Sequence, residues 1–309
     1  MLCYILCMRY TLRQLGVFLA VARTGSLTAA SNELSMSQSA ASGSLKELET
    51  RFDTQLFDRV GKRLKINPAG RALQTKAEEL LQRASDLEAT LSSKGGFGSI
   101  TVGATMTIGN YLFVDMFTEF KQQYVDADIR LSVGNTREIV DKVLSYQVDL
   151  GLIEGEVNEP EIDVLPWRTD EMVVVCSPDH PLANEKSPLT REQLVCLDWI
   201  VREKGSGTRQ TFERGMYGIL QDLNYVLELE QIEAMKRAVT LNLGVSCLSK
   251  ISVEHELERG DLIELNVKDR SFTRYFYVVL HRDKFLTQDV EKWLDYCGLR
   301  LEEIFFFRE

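Results

Sequence analysis

Leu12, Leu15, Leu19 and Ala22 recur at three- and four-residue intervals, with Phe18 beside them, and this spacing predicts a helix over 11–23. Gly25 ends it, and Ser26 caps a second, short helix over 27–34. Ser37 is suited to cap a third helix, Gln38 to Phe52. Its apolar stripe is Ala41, Leu45, Leu48 and Phe52; its opposite face shows Gln38, Ser39, Ser42, Gly43 and Lys46. Two helices that cross steeply through a short turn need small residues at their contact, and Ala29, Ala30 and Ala41 supply them. The segment LFDRVGKRLKIN (56–67) then reads as two short strands around VGK that display Arg59, Lys62, Arg63 and Lys65. The expectation for residues 9–66 is a helix-turn-helix with a basic wing.

Asn67-Pro68 opens a long helix. Leu73, Ala77, Leu80, Ala84, Leu87 and Leu91 are spaced alternately four and three apart, the seam of a helix that pairs with a second copy. Residues 67–93 are therefore expected to be a linker and dimerisation helix. Lys94-Gly95-Gly96-Phe97-Gly98 follows as a hinge. Beyond it the texture alternates. Strands are expected at 99–104, 128–133, 148–153, 171–177, 225–230, 244–249, 262–267 and 275–281. Helices are expected at 108–124, 136–146, 208–220, 231–242 and 287–303. Such alternation predicts parallel sheets covered by helices. Residues 99–305 suffice for two α/β lobes with a cleft, lobe I about 99–168 with 268–305 and lobe II about 169–267. The fold class is α/β behind an all-α head with a wing.

Charge sharpens this picture. Residues 1–66 carry nine Lys/Arg against five Asp/Glu, a net of +4 in a chain of net −10. A basic head on an acidic body is expected when the head alone meets phosphate. Six scattered cysteines without a CxxC pair point to reduced thiols in a cytoplasmic protein, and three isolated histidines show no metal-ligand spacing. The apolar start MLCYILC is too short to span a bilayer and lacks a signal-peptide pattern. Translation is expected to begin at Met8, with residues 1–7 an extension. No membrane partner, metal or cofactor is expected.

A Walker loop, a GxSxG elbow and an HExxH pair are all missing, so no enzyme is expected. Instead, polar clusters recur where strands end and helices begin: ATMTIGN (104–110), GNT (134–136), IEG (153–155) and GSGTR (205–209). Ligands of open α/β sheets bind outside the carboxyl ends of strands, and helix N-termini with hydroxyls suit anions. Thr105, Thr107, Asn135, Thr136, Ser206 and Thr208 are the candidate effector-binding residues. The alternative for each is that it only caps its helix. Glu154 would repel an anion, and a structural ion pair with Arg202 or Arg209 is its expected role.

The run from Ser26 to Glu49 has the form S-x-T-A-A-x-x-x-L-x-x-S-Q-S-A-x-S-x-x-x-x-x-L-E. With the LFDR and NPAG that follow, it resembles the LysR-type transcriptional regulators. That resemblance covers the chain end to end. It implies a winged helix-turn-helix, a linker helix and a two-lobe, periplasmic-binding-protein-like effector domain. It also implies double-stranded DNA as partner, contact with RNA polymerase, and a homodimer or homotetramer. Gln38, Ser39, Ser42 and Lys46 are the residues expected at base edges; Arg59, Lys62 and Arg63 are those expected at phosphates. In the effector half, TIGNYL, LSVGNT, VDLGLIEG, REKGSGTR and GVSCLS resemble the CysL/YeiE-like regulators of sulphite reduction and sulphur assimilation. This implies a small anionic effector, sulphite or sulphate. A small carboxylate effector, or a solute receptor whose head serves only oligomerisation, are the alternatives.

Overall fold

In the computed structural model, which describes residues 9–61, 63–91 and 97–299, the chain divides into two compact units. One holds the head, the long helix after it and residues 283–288. The other holds the remainder. The expected extension 1–7, Lys62 and residues 94–96 of the hinge lie outside the described residues.

The head contains α1 (Leu12–Thr24), α2 (Leu27–Glu33), α3 (Gln38–Phe52), β1 (Phe57–Val60), β2 (Arg63–Ile66) and α4 (Pro68–Leu91). Thr11 and Gln14 form a reciprocal cap at the start of α1. Gly25 stops the helix in the left-handed region, φ 64°, a conformation that is costly for other residues. Ser26 and Ser37 accept from the backbone N–H groups of Ala29 and Ala40. Phe18, Val17, Leu15, Leu45 and Leu48 form the core with Ala30 and Ala41 at the α2–α3 contact. Ala29, expected at that contact, is exposed. Adjacent helical residues point about 100° apart, so Ala29 and Ala30 cannot both face inward. The wing is an antiparallel hairpin that pairs Arg59 with Leu64 and Val60 with Arg63.

The second unit runs β3 (Ser99–Thr105), α5 (Met106–Tyr111), α6 (Phe113–Gln123), β4 (Asp128–Gly134), α7 (Thr136–Leu144) and β5 (Leu150–Glu154). It continues with β6 (Ile162–Cys176), α8 (Arg191–Val195), β7 (Asp198–Arg202), α9 (Gly207–Gly215), β8 (Asn224–Leu229) and α10 (Ile232–Thr240). It closes with β9 (Ser246–Ser249), α11 (Lys250–Arg259), β10 (Ile263–Leu265), β11 (Thr273–His281) and α12 (Gln288–Tyr296). Strands β3, β4 and β5 are parallel, as expected. The rest of the sheet corrects the all-parallel expectation. Strand β11 runs antiparallel to both β5 and β6, and β9 and β10 run antiparallel to β6.

This mixed pairing makes the two lobes. The first part of β6 pairs with β11 beside β5; its last residues, Met172–Cys176, pair instead with β9 and β10. Strand β6 thus starts in lobe I and ends in lobe II, whereas the sequence pattern places a strand only at 171–177. Lobe II has its own core around Trp199, Phe212 and Met216, beside the parallel pair β7–β8. Strand β7 is absent from the expected elements, because its residues Trp199 to Arg202 are all buried and show no alternation. Helices α8 and α11 are further additions, and the single helix expected at 108–124 is two, α5 and α6, which separate at Leu112.

Candidate effector cleft and DNA-binding face

The polar clusters converge as the strand topology requires. Thr105 ends β3 opposite Gly134 of β4, and Asn135 follows as the cap of α7. Glu154 ends β5, and Gly207, the first residue of α9, sits against it. A side chain at Gly207 would place a Cβ 2.0 Å from the Glu154 carbonyl oxygen, so only glycine allows this approach. The Gly207 N–H donates to Thr136 Oγ1 at 3.1 Å, and Thr136 Oγ1 donates to the Glu154 carbonyl at 2.6 Å. Thr136 therefore fastens α7 to β5 and α9. Asn135 makes a reciprocal cap with Glu138. These two candidates are engaged within the fold.

Arg274, a residue outside the sequence-derived candidates, stands at the centre. Its Nε donates to Asp170 Oδ2 at 2.6 Å, and its Nη2 lies 2.9 Å from Glu154 Oε2. That second contact is an ion pair set off the hydrogen-bonding direction, since Glu154 Oε2 has no hydrogen-bond partner. Arg274 Nη1 donates to Thr208 Oγ1 at 3.1 Å, and Nη2 donates to Thr107 Oγ1 at 3.5 Å. Thr208 in turn donates to Glu154 Oε1 at 3.3 Å. Arg274 and Asp170 face each other across β11 and β6, and each side chain is 1% exposed. Ser249 of β9 donates to Asp170 at 2.8 Å. One guanidinium thus links lobe I, through Glu154 and Thr107, to lobe II, through Thr208 and Ser249.

This corrects the expected partner of Glu154. Arg202 makes a paired contact with Glu203 at 2.8 and 2.9 Å, and Arg209 pairs with Glu213 at 2.5 Å. Neither is the counter-ion of Glu154. The signal that could have found Arg274 is the residue itself, a cation at the start of an otherwise apolar strand, TRYFYVVLH. Such a charge is rarely buried without specific partners.

Two candidates remain unengaged. Thr105 Oγ1 and Ser206 Oγ are buried, at 1% and 3% residue exposure, and neither has a hydrogen-bond partner. Each holds the N-cap position of its helix without making the side-chain cap bond. An unpaired buried hydroxyl costs about 1–3 kcal/mol. The arrangement can therefore accept a ligand that offers oxygen acceptors. Among the described residues no group of His, Cys, Asp and Glu could hold a metal ion.

On the head, Gln38, Ser39, Ser42 and Lys46 all lie exposed along one side of α3, opposite the buried Ala41, Leu45 and Leu48. Arg59, Arg63 and Lys65 are exposed on the hairpin beside it. Short side chains on a helix that stands clear of its own domain suit entry into a major groove, about 12 Å wide.

Residues 12–71 match the bacterial regulatory helix-turn-helix proteins of the lysR family, and residues 93–301 match the LysR substrate binding domain. The chain belongs to the LysR family of transcriptional regulators. It is 41% identical over 290 residues to the "uncharacterized HTH-type transcriptional regulator YeiE" of Escherichia coli K12, covering 94% of this chain and 98% of that one. The RuBisCO operon transcriptional regulator of Allochromatium vinosum is 34% identical, over 91% and 93%. CysL of Bacillus subtilis is 29% identical, over 84% and 87%. A full-length OxyR variant of Pseudomonas aeruginosa shares the fold at a TM-score of 0.72 and 20% identity, over 96% and 97% of the two chains. The Synechocystis CcmR regulatory domain in complex with 2-PG aligns at a TM-score of 0.60 and 29% identity, over 65% of this chain and 95% of that one.

The regulator is thus a DNA-binding protein with an effector-binding domain, and its relatives are named transcriptional regulators rather than enzymes. None of its described helices is long and apolar enough to cross a membrane. Part of the apolar seam of its long helix α4 faces the regulator's own head. Ala77 is buried in the regulator's own head, with Leu73 and Leu80 partly buried beside it. Leu87 is 60% exposed and Ala84 half-buried. The Leu91 side chain lies outside the described residues. Beside α4 an apolar cavity of about 390 Å³ is lined by Tyr10, Leu48, Phe52, Leu56, Leu73 and Leu80.

Proposed function

We propose that this regulator binds operator DNA through α3 and the wing, and that a small oxyanion held in the effector cleft controls the binding. Gln38, Ser39, Ser42 and Lys46 meet base edges, and Arg59, Lys62 and Arg63 hold phosphates. Paired heads read paired half-sites, so α4 serves dimerisation. The exposed Leu87 and the apolar cavity beside α4 support a second copy as its cover. The protein acts in the cytoplasm, alongside RNA polymerase.

The observation that carries the effector reading is the pair of buried hydroxyls without partners, Thr105 before α5 and Ser206 before α9. Oxygen acceptors of anionic groups in the cleft would satisfy each of them, with Thr107, Thr208 and Arg274 beside Thr105. Sulphite and sulphate are the first candidates, supported by the 41% identity with YeiE and the resemblance of the cleft segments. A small carboxylate is the second reading. The likeness to a CcmR domain in complex with 2-PG and the 34% identity with a RuBisCO operon regulator favour it.

Thermal unfolding of the full chain with sulphite, sulphate, thiosulphate, phosphate and small carboxylates tests both. A ligand at about a hundred times its Kd adds roughly 2.7 kcal/mol. A shift with sulphite or sulphate that Thr105→Val and Ser206→Ala abolish supports the oxyanion reading. A shift with carboxylates alone selects the second. No shift with any anion refutes the cleft as an anion site and leaves DNA binding standing.

A further inference from the structure

Beside the cleft, Thr136, Ser206 and Gly207 line one side of a cavity of about 550 Å³. A simple oxyanion fills roughly the space of two or three waters, at about 30 Å³ each. Most of this cavity therefore lies beyond the reach of an ion seated on Thr105 and Thr208, and its size falls in the range of about 300–1,000 Å³ that suits an organic ligand. Ser206, buried and without a hydrogen-bond partner, lines it. So do Arg137, near the start of α7, and Lys204, in the turn before α9. Both cations are exposed, and neither forms an ion pair with a described residue. They come from facing elements, and the Arg137 N–H donates to the Gly205 carbonyl at 3.3 Å, which holds the start of α7 against the Lys204–Ser206 turn.

Acids line the cavity too. Glu156 is held by Arg214 at 2.6 Å and Glu213 by Arg209 at 2.5 Å, so both are neutralised. Asp141 lies one turn beyond Arg137 on α7, and Glu159 on the loop after β5. Arg137 and Lys204 are the charged lining residues nearest Ser206, one across the Arg137–Gly205 hydrogen bond and one two residues along the chain.

We propose that Arg137 and Lys204, with Ser206 at their base, form a second anion subsite, so that the cleft receives two anionic groups at once. This rests on the effector reading above and extends it. The ligand class is either a short two-headed anion, such as a phosphorylated or sulphonated small carboxylate, or two separate oxyanions. The inner group occupies the Thr105–Thr208 end and the outer group bridges the two cations, where charge-assisted hydrogen bonds are strongest.

Calorimetric titration of the full chain with sulphate, phosphate, phosphoglycolate and sulphoacetate tests this, comparing the native protein with the Arg137→Ala/Lys204→Ala double variant. Both positions are exposed, and unchanged thermal unfolding of the ligand-free variant verifies its fold. For a two-headed ligand, phosphoglycolate or sulphoacetate binds the native protein with a stoichiometry of one and at least about 10-fold more tightly than sulphate or phosphate. The double variant loses that advantage while keeping single-ion affinity within about 3-fold. For two separate ions, sulphate or phosphate binds with a stoichiometry of two, and the double variant retains one. Equal binding of every probe to both proteins overturns the second subsite and leaves the inner site intact. Absence of binding to the native protein overturns the inner site as well.

Discussion

Replacing Arg274 by Met retains much of the aliphatic stem and removes the only cation that Glu154 and Asp170 share among the described residues. Both carboxylates are almost wholly buried, at 2% and 1% side-chain exposure. Asp170 keeps its bond from Ser249 and Glu154 its bond from Thr208, but neither hydroxyl carries charge. Breaking a buried ion pair from one side costs about 3–5 kcal/mol, because the remaining charge has no counter-ion. For a unit of this size each kcal/mol corresponds to about 2–4 °C in Tm. The expected loss is therefore roughly 6–20 °C, read by calorimetry on the full chain as a shift of the effector-domain transition. The triple variant Arg274→Met, Glu154→Gln, Asp170→Asn removes the stranded charges along with the cation. It should recover more than half of the loss, since neutral isosteres require no counter-ion. A single variant within about 1 kcal/mol of the native protein would refute the reasoning, as would a triple variant no more stable than the single one.

Arg59→Ala should weaken operator binding and lower the salt slope of log K by about one for each phosphate that the arginine neutralises, while anion binding to the cleft is unchanged. Fluorescence anisotropy across a salt series measures this, and an unchanged slope would exclude Arg59 from the phosphate contacts. Ala41→Leu inserts a larger side chain where α2 meets α3, at a position with no exposed surface. It should destabilise the head by about 1–3 kcal/mol and weaken DNA binding, and a head with native stability and affinity would refute close packing there. Burial pushes the thiol of Cys176 up to about 11 and that of Cys297 to about 12, and it raises that of Cys247 as well. Since the thiolate is the reactive form, brief alkylation near pH 8 should label the exposed Cys196 and spare these three, as read by peptide mass spectrometry. Equal labelling of Cys247 would contradict its burial.

The head is legible in the sequence because each of its signals is local. Ser26 and Ser37 cap their helices, Gly25 stops one, and the apolar spacing places Leu45 and Leu48 inward, so the pattern delimits α3 to its end residues. The sheet is less legible because strand direction depends on partners distant in sequence. Nothing in YFYVVLH distinguishes a strand antiparallel to β5 from a parallel one, and that pairing decides where the lobes divide. Strand β7 is hidden by burial on both faces. In the cleft, the hydroxyl-bearing candidates sit where helices begin, which the sequence shows. Their engagement is not visible there: Thr136 and Asn135 bond within their own surroundings, whereas Thr208 and Thr107 share Arg274, 66 and 167 residues away. For the same reason the local pattern points to Arg202 and Arg209 as counter-ions of Glu154, when the true one lies on β11.

The position of Arg274 bears on how a ligand could reach the heads. Arg274 and Asp170 lie opposite each other where β6 leaves β11 and enters lobe II, and Met172 N–H still donates to the Phe272 carbonyl there, at 3.2 Å. The groups that would touch an inner anion are bonded to this same guanidinium: Thr107 from lobe I and Thr208 from lobe II. A ligand that takes up either hydroxyl must alter a bond to the guanidinium that links the two lobes. It can shift the population of lobe arrangements only by as much as its affinity for them differs. A ratio of ten corresponds to about 1.4 kcal/mol, within reach of a single charge-assisted hydrogen bond. Thr208→Val, which deletes the lobe II bond while nearly preserving side-chain volume, should therefore change the operator affinity of the ligand-free regulator as well as its response to ligand. A variant that loses only ligand affinity, with ligand-free operator binding unchanged, would show that Thr208 belongs to the ligand site but not to the hinge.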